Sequence, residues 1–299
     1  MANLQSLTAQ PSTAATLLAL TVGVGLASRL LMTSKAEAES AASGKMKTFS
    51  KGPAFVWLKL HSTEDVTHNM RRLRFELPNP EAVSGLGLTS ALLTLSWPKG
   101  RMLPVPRPYT PVSPLDEPGF LDLLVKHYPN GKASTHLHSL KPGDALFIAA
   151  AIPGYAWRPN LHPRVTLIAG GAGITPIFQL AQGILTNPSD RTRITLVYAA
   201  QTAKDLALKE KLDAWEREFP GRFKAVYTVS QQGESKEGGV RKGYVTGELL
   251  KEVAPKDGEG EAKVFVCGPP PMEKALVGAR GGSGILAELG YRKDQVYKF

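Results

Sequence analysis

The chain of 299 residues holds a single cysteine, Cys267. No intramolecular disulfide can form and no metal site can be built from cysteines, so a reducing or neutral compartment fits better than a stapled secreted fold. The six histidines, His61, His68, His127, His136, His138 and His162, show no metal-ligand spacing. His136 and His138 read as helix or surface residues, and no resident metal is expected. No stripe of basic residues interleaved with aromatics occurs, which argues against nucleic acid as a partner. There is no internal repeat and no convincing acid–base dyad.

What is present is an ordinary globular composition, 42% hydrophobic and 21% charged, in a chain long enough for about two domains. The formal charge is +10. Residues 1–50 carry Arg29, Lys35, Lys45 and Lys47 against Glu37 and Glu39, which leaves +8 on the remainder. Such a field favours an acidic partner or an anionic membrane surface, although basic residues spread over a solvated surface would give the same total.

The one long apolar run lies near the N-terminus. Ala14 to Ser28 has no charge, and Leu30–Met32 continues beyond Arg29. Residues 13–32 reach the roughly 20 residues that a bilayer core requires if Arg29 snorkels to the headgroups. A membrane anchor is the expectation; a signal peptide, a matrix-targeting presequence and a disordered tail are the alternatives. Residues 33–50 are small and polar and read as a linker.

Two patterns divide the rest, with expected boundaries at 51–158 and 159–299. Phe55–His61, Met70–Leu77, Leu92–Ser96, Phe120–His127 and Ala145–Ala150 read as strands, and Arg72–Leu77 alternates charged and apolar residues at period two. Short strands with turn signals such as Pro142-Gly143-Asp144 predict a small antiparallel barrel. After Pro163 strands alternate with helices. Strands are predicted at Val165–Ile168, Ile194–Tyr198, Phe223–Val229 and Val264–Val266, with helices over Pro176–Leu185, Leu206–Phe219, Gly247–Val253 and Ser283–Leu289. That order predicts a mostly parallel sheet covered on both faces.

Four motifs carry candidate chemistry. Arg107-Pro108-Tyr109-Thr110-Pro111-Val112-Ser113 sets an arginine, a phenol and two hydroxyls on a proline-stiffened backbone; a guanidinium fork suits a pyrophosphate, but a proline-rich loop would read the same way. Gly131-Lys132-Ala133-Ser134-Thr135 opens a proposed helix, with free N–H groups for an anion or merely a Ser134 or Thr135 cap. Gly170-Gly171-Ala172-Gly173-Ile174-Thr175-Pro176 joins a strand to a helix and resembles a dinucleotide turn, departing from it where Pro176 replaces the third glycine. Cys267-Gly268-Pro269-Pro270-Pro271-Met272 ends a strand, at the sheet edge where wound sheets bind ligands; a buried small hydrophobe is the plainer reading of Cys267.

In this order, RPYTPVS, LLVKHY at 123–128, GKAS, GGAGITP and CGPPPM resemble the signatures of the NADH–cytochrome b5 reductase family, within the ferredoxin-reductase-like flavoproteins. The likeness covers roughly residues 52–299, and the stretches 79–95, 134–144 and 288–299 resemble the fungal mitochondrial form. The resemblance implies a six-stranded antiparallel β-barrel that binds FAD, then a Rossmann-like parallel-sheet α/β domain that binds NADH. Arg107 would neutralise FAD phosphate, with Pro108 and Tyr109 along the flavin and Thr110 on its ring edge. Ser113 is assigned to the same cofactor. Leu124 and Lys126 would lie beside the flavin; Lys132, Ala133 and Ser134 would hold the pyrophosphate, and Thr175 would reach in from the second domain. Gly171, Gly173, Cys267, Gly268, Pro269 and Met272 would shape the nicotinamide site. Thr110, Lys126 and Cys267 are the residues expected nearest the reacting atoms.

The implied activity is hydride transfer from NADH to FAD, then single-electron transfer to cytochrome b5 or a similar haem acceptor. The rival is a flavin-fold membrane scaffold with little turnover. A monomer anchored in the mitochondrial outer membrane is expected, with the endoplasmic reticulum or the intermembrane space as alternatives. NADH over NADPH rests on the resemblance alone. Ala172, Ala200 and the run Gly281–Gly284 depart from the family pattern and bear on efficiency.

Overall fold

Alternation of buried and solvent-facing residues shapes the first half of the molecule. In the computed structural model, which describes residues 45–231, 239–254, 262–279 and 282–299, six strands form one antiparallel sheet: β1 (Gly52–Thr67), β2 (Met70–Glu76), β3 (Ala91–Ser96), β4 (Val105–Tyr109), β5 (Phe120–Lys126) and β6 (Ala145–Ile152). Their order is β4-β3-β6-β1-β2-β5. Past the end of β4, Pro111 bridges Leu123 of β5, and Val112 N donates to Asp122 O at 2.9 Å. The sheet thus curls back on itself, as the barrel expectation required. Leu58, Leu60, Leu73, Phe75, Leu123 and Ile148 fill its interior, while Arg72, Arg74 and Glu76 of β2 point away from it.

β4 went unread in the sequence because Pro106 and Pro108 disguise it. It lies at the end of the hydrogen-bonded order, and prolines two apart turn their missing donors toward the same edge, where no strand asks for them.

The second sheet is parallel throughout: β7 (Arg164–Gly170), β8 (Arg193–Ala200), β9 (Phe223–Val229), β10 (Val240–Lys242), β11 (Lys263–Cys267) and β12 (Val296–Lys298), ordered β10-β9-β8-β7-β11-β12. The helices Ile174–Thr186 and Lys209–Glu218 pack with Val165, Leu167 and Phe265 on one face. Residues of Gly247–Val253, Pro270–Val277 and Ile285–Glu288 pack with Ile168, Val197 and Val266 on the other. Both faces being covered, the strands read as continuous apolar runs. β10 and β12 are three residues each, too short for a periodic signal. The helix Pro270–Val277 also went unread, although prolines at its first two positions are compatible with a first turn whose N–H groups lack intrahelical acceptors.

Thr48–Phe299 forms one contact unit. Met70, Val112 and Leu124 of the barrel belong to the same apolar cluster as the second sheet. Gln179, 1% exposed, bridges the two halves: its Nε2 donates to Pro111 O at 2.9 Å and its Oε1 accepts from Thr89 N. The expected anchor at 13–32 and most of the linker lie outside the described residues, as does Gly281. Among the described residues no helix is long and apolar enough to cross a membrane.

Candidate active site

A cleft of about 570 Å³ opens where the end of β4 and the end of β5 face the C-terminal ends of β7 and β11. Pro108, Tyr109, Thr110, Leu124 and Lys126 line it from the barrel; Gly173, Thr175, Cys267, Gly268 and Pro269 line it from the second sheet. Ten of the sequence-derived candidates thus meet in one concavity, at the sheet edge where parallel α/β folds bind ligands. Ala172 also lines it, whereas Ala200, the last residue of β8, is not among the lining residues.

Other candidates lie off the cleft lining. Ser113 is 5% exposed and its Oγ accepts from Asp122 N at 3.0 Å, so its hydroxyl fastens the barrel closure. Arg107 is exposed on β4 and donates to its own neighbour, Pro106 O, at 2.8 Å. Lys132, Ala133 and Ser134 form the first turn of the helix Lys132–Ser139, whose N-cap is Gly131 rather than Ser134 or Thr135. The Ser134 hydroxyl is already paired, accepting from Tyr128 N at 3.2 Å and donating to Gly131 O at 3.0 Å. What this turn can offer an anion is therefore its backbone N–H groups. His136 and His138 sit on the same helix, and the His138 ring lies 2.9 Å from Val125 O.

The glycines of the third motif serve the protein before any ligand. A Cβ on Gly173 would stand 2.2 Å from Cys267 O, and one on Gly170 would stand 2.5 Å from Met272 Sδ and 2.9 Å from Pro269 Cδ. The β7 turn and the β11 turn touch backbone to backbone. Gly171 is different: it holds a φ of 53°, the left-handed region, and a Cβ on it would meet only Lys126 Nζ, at 3.9 Å. Met272 packs its sulfur against Gly170 and Gly268 and is not among the residues lining the cleft.

Burial sets the charge states here. Tyr109 is pushed up to about 12 by burial, against a smaller opposing pull from Arg107. The Cys267 thiol is likewise pushed up to about 12, chiefly by burial and then by the Glu273 carboxylate. Cys267 is a neutral wall of the cleft at physiological pH rather than a thiolate nucleophile.

Lys126 is tethered by a residue that sequence reading missed. Its Nζ lies 3.6 Å from Oδ1 of Asp205, which is 2% exposed and sits just after β8. Asp205 Oδ2 accepts from Thr202 N at 3.1 Å and Thr202 Oγ1 at 2.7 Å, while Oδ1 accepts from Asn69 Nδ2 at 2.6 Å. Burial alone would raise the Asp205 carboxyl, but the Thr202 and Asn69 hydrogen bonds and the Lys126 charge outweigh it and lower it. Asn69 and Lys126 belong to the barrel half, so this carboxylate ties the two halves at the mouth of the cleft. Tyr128, Tyr297 and Phe299 also line the cleft. The aromatic alternation of Tyr297-Lys298-Phe299 was the available signal for the last two.

The donor set fits a flavin dinucleotide. The cleft is mostly apolar with a few convergent polar groups, Tyr109 offers a ring face, and an arginine and a free helix N-terminus lie on the neighbouring elements β4 and Lys132–Ser139.

Residues 57–154 match the oxidoreductase FAD-binding domain model and residues 167–277 the oxidoreductase NAD-binding domain model. NADH-cytochrome b5 reductase 2 of Aspergillus clavatus is 49% identical over 284 residues, 92% of this chain and 87% of that protein. The protein of the same name from Pyricularia oryzae is 47% identical over 260 residues, covering 85% and 78%. Among solved structures, the cytochrome b5 reductase domain of Ulva prolifera nitrate reductase superposes with a TM-score of 0.73 at 28% identity, over 85% of this chain and all of that one.

Proposed function

The chain belongs to the NADH–cytochrome b5 reductase family, and on that premise we propose how its own residues carry electrons from NADH through FAD to cytochrome b5, and where in the cell they do so. The observation that carries the reading is the cleft itself, which sets Tyr109, Thr110 and Lys126 of the FAD-binding half against Gly173, Thr175 and Cys267 of the NAD-binding half. FAD bound there supplies the chemistry: it accepts a hydride from NADH and delivers electrons to a haem acceptor.

The protein's part is orientation. The Tyr109 phenol stays protonated and gives the flavin a neutral, packed neighbour. Arg107 and the N–H groups of Lys132–Ser134 would hold the phosphates of FAD. The close packing of the β7 and β11 turns fixes one wall of the cleft, against which a nicotinamide would be held facing the flavin. Lys126, tethered by Asp205, presents its ammonium to the dinucleotide.

The finer assignments belong to the same proposal. Residues 13–32 anchor the protein in the mitochondrial outer membrane as a monomer, a reading supported by the uncharged run 14–28 and the polar linker that follows. The net positive body suits an encounter with an acidic haem protein.

An anaerobic absorption spectrum before and after NADH tests the core of this reading. A bound flavin that bleaches within seconds supports it. A flavin that stays oxidised with NADH but bleaches with NADPH would reassign the donor, and a folded protein that retains no flavin would refute the cofactor assignment.

A further inference from the structure

On the outside of the barrel, four aromatic rings form one contiguous patch. Trp57 lies 5.0 Å from Phe147 and 6.1 Å from Trp97, Trp97 lies 6.2 Å from Phe147, and Phe55 lies 6.4 Å from Phe147. Strand pairing explains the cluster, since Trp57 of β1 and Leu95 of β3 both sit opposite Phe147 of β6. Phe55, Trp57 and Trp97 are 47%, 58% and 40% exposed. The loop after Trp97 adds Met102 and Leu103, at 96% and 74% exposure. A register shift in β1 between Pro53 and Val56 leaves Phe55 at a φ of 50°, which an L residue rarely adopts. Bulges of this kind re-aim a side chain, and here the re-aimed ring faces water. Contiguous exposed apolar surface of this sort marks an interaction site.

The surroundings of the patch indicate what covers it. Lys51 and Lys59 are exposed on either side of Phe55 and Trp57, and the loop residues 97–103 contain exposed Lys99 and Arg101 and no acid. Tryptophan beside lysine and arginine is the composition of a membrane–water interface. The patch also begins where the linker ends: residues 33–51 are all that separate the apolar run 13–32 from β1. We propose that the patch of Phe55, Trp57, Trp97, Phe147, Met102 and Leu103 docks on an anionic lipid surface, holding the catalytic body in one orientation against the membrane. This rests on the anchor reading above. The rings enter the headgroup region while Lys51, Lys59, Lys99 and Arg101 meet anionic headgroups.

The test uses the full chain on phosphatidylcholine vesicles containing anionic phosphatidylglycerol, with bromine on the acyl chains to quench nearby tryptophan. The chain has four tryptophans. Trp215 is 2% exposed and Trp157 lies half-buried in another aromatic cluster, with Tyr155, His162 and Phe265. Docking predicts that vesicle-bound protein loses emission from Trp57 and Trp97, and that a W57F/W97F chain, with NADH–ferricyanide activity intact, shows no such loss. Removing two basic charges in K99Q/R101Q should lower the docked-to-free ratio about 30-fold, and raising salt should act in the same direction. Co-sedimentation of the chain without quenching overturns the docking proposal and leaves the anchor standing. No co-sedimentation overturns both. Emission already blue-shifted without vesicles, and unquenched with them, overturns the proposal in favour of a protein segment over the patch.

Discussion

Replacing Asp205 by asparagine should loosen the joint between the two halves of the protein. The carboxylate accepts from Thr202 through Oδ2 and from Asn69 through Oδ1, with Lys126 3.6 Å away. An amide has one accepting oxygen where the carboxylate has two. If that oxygen keeps the Thr202 bonds, the new NH2 group faces the Asn69 amide donor; if it turns, Thr202 loses its acceptor. Either way a buried donor is left unpaired at about 1–3 kcal/mol, and Lys126, only 14% exposed, loses its counter-charge. A total of roughly 2–4 kcal/mol follows, equivalent to a fall in Tm of roughly 4–15 °C for a unit of this size.

The pH dependence gives a second, independent reading. Because the Asp205 carboxyl is lowered in the folded state, its contribution is fully present above the unfolded value of about 3.9 and is lost as pH falls through the lower folded value. The Tm gap between wild type and D205N should therefore be constant around neutrality and close in acid. Scanning calorimetry between neutral and acid pH measures both. A Tm within a degree of wild type at neutral pH, or a gap that persists unchanged into acid, would refute the reasoning. The KM for NADH should rise more than kcat falls, because the variant frees Lys126 without touching the flavin.

Gly173→Ala places a methyl 2.2 Å from Cys267 O, a backbone atom that cannot swing aside; a loss of about 1–3 kcal/mol and weakened NADH binding are expected from thermal unfolding and steady-state kinetics, and an unchanged KM would argue that the two turns are not rigidly packed. Cys267→Ser should leave flavin reduction by NADH largely intact, and wild-type Cys267 should resist iodoacetamide at neutral pH, since its thiol is pushed up to about 12; rapid alkylation accompanied by inactivation would contradict its neutral role. Arg107→Ala should release FAD on gel filtration while the barrel stays folded, because the guanidinium is exposed and, among the described residues, donates to its own neighbour Pro106 O. Turnover with cytochrome b5 should fall as salt rises, whereas turnover with ferricyanide should not follow the same curve; insensitivity of the haem reaction to salt would remove the electrostatic account of the encounter.

Much of the fold was legible because its signals are local. Arg72–Leu77 announced a half-buried strand by alternation, and Val165–Ile168 a fully buried one by its unbroken apolar run, since each pattern is imposed by what covers a strand's two faces. The prolines of β4 and of the helix Pro270–Val277 hid both elements, because whether a missing N–H matters depends on which edge or turn it faces, and only the assembled structure fixes that.

The site divides in the same way. Residue types carried Tyr109, Thr110, Lys126 and Cys267 into the cleft on motif alone, because the cofactor's chemistry calls for arginine, phenol, hydroxyl and small residues at fixed spacing. Position decided the rest. Ser113 belongs to the same motif yet faces the barrel closure, since alternate residues of an extended chain point to opposite sides. Asp205 lies 79 positions from Lys126 and 136 from Asn69, so no local pattern links the carboxylate to the lysine it tethers. The sequence alone determined which groups the chain could offer, because composition and short-range periodicity are properties of the string. Which of them converge, which are buried to the point of neutrality, and which remain on the surface were decided by packing, because desolvation and contact exist only once distant segments have met.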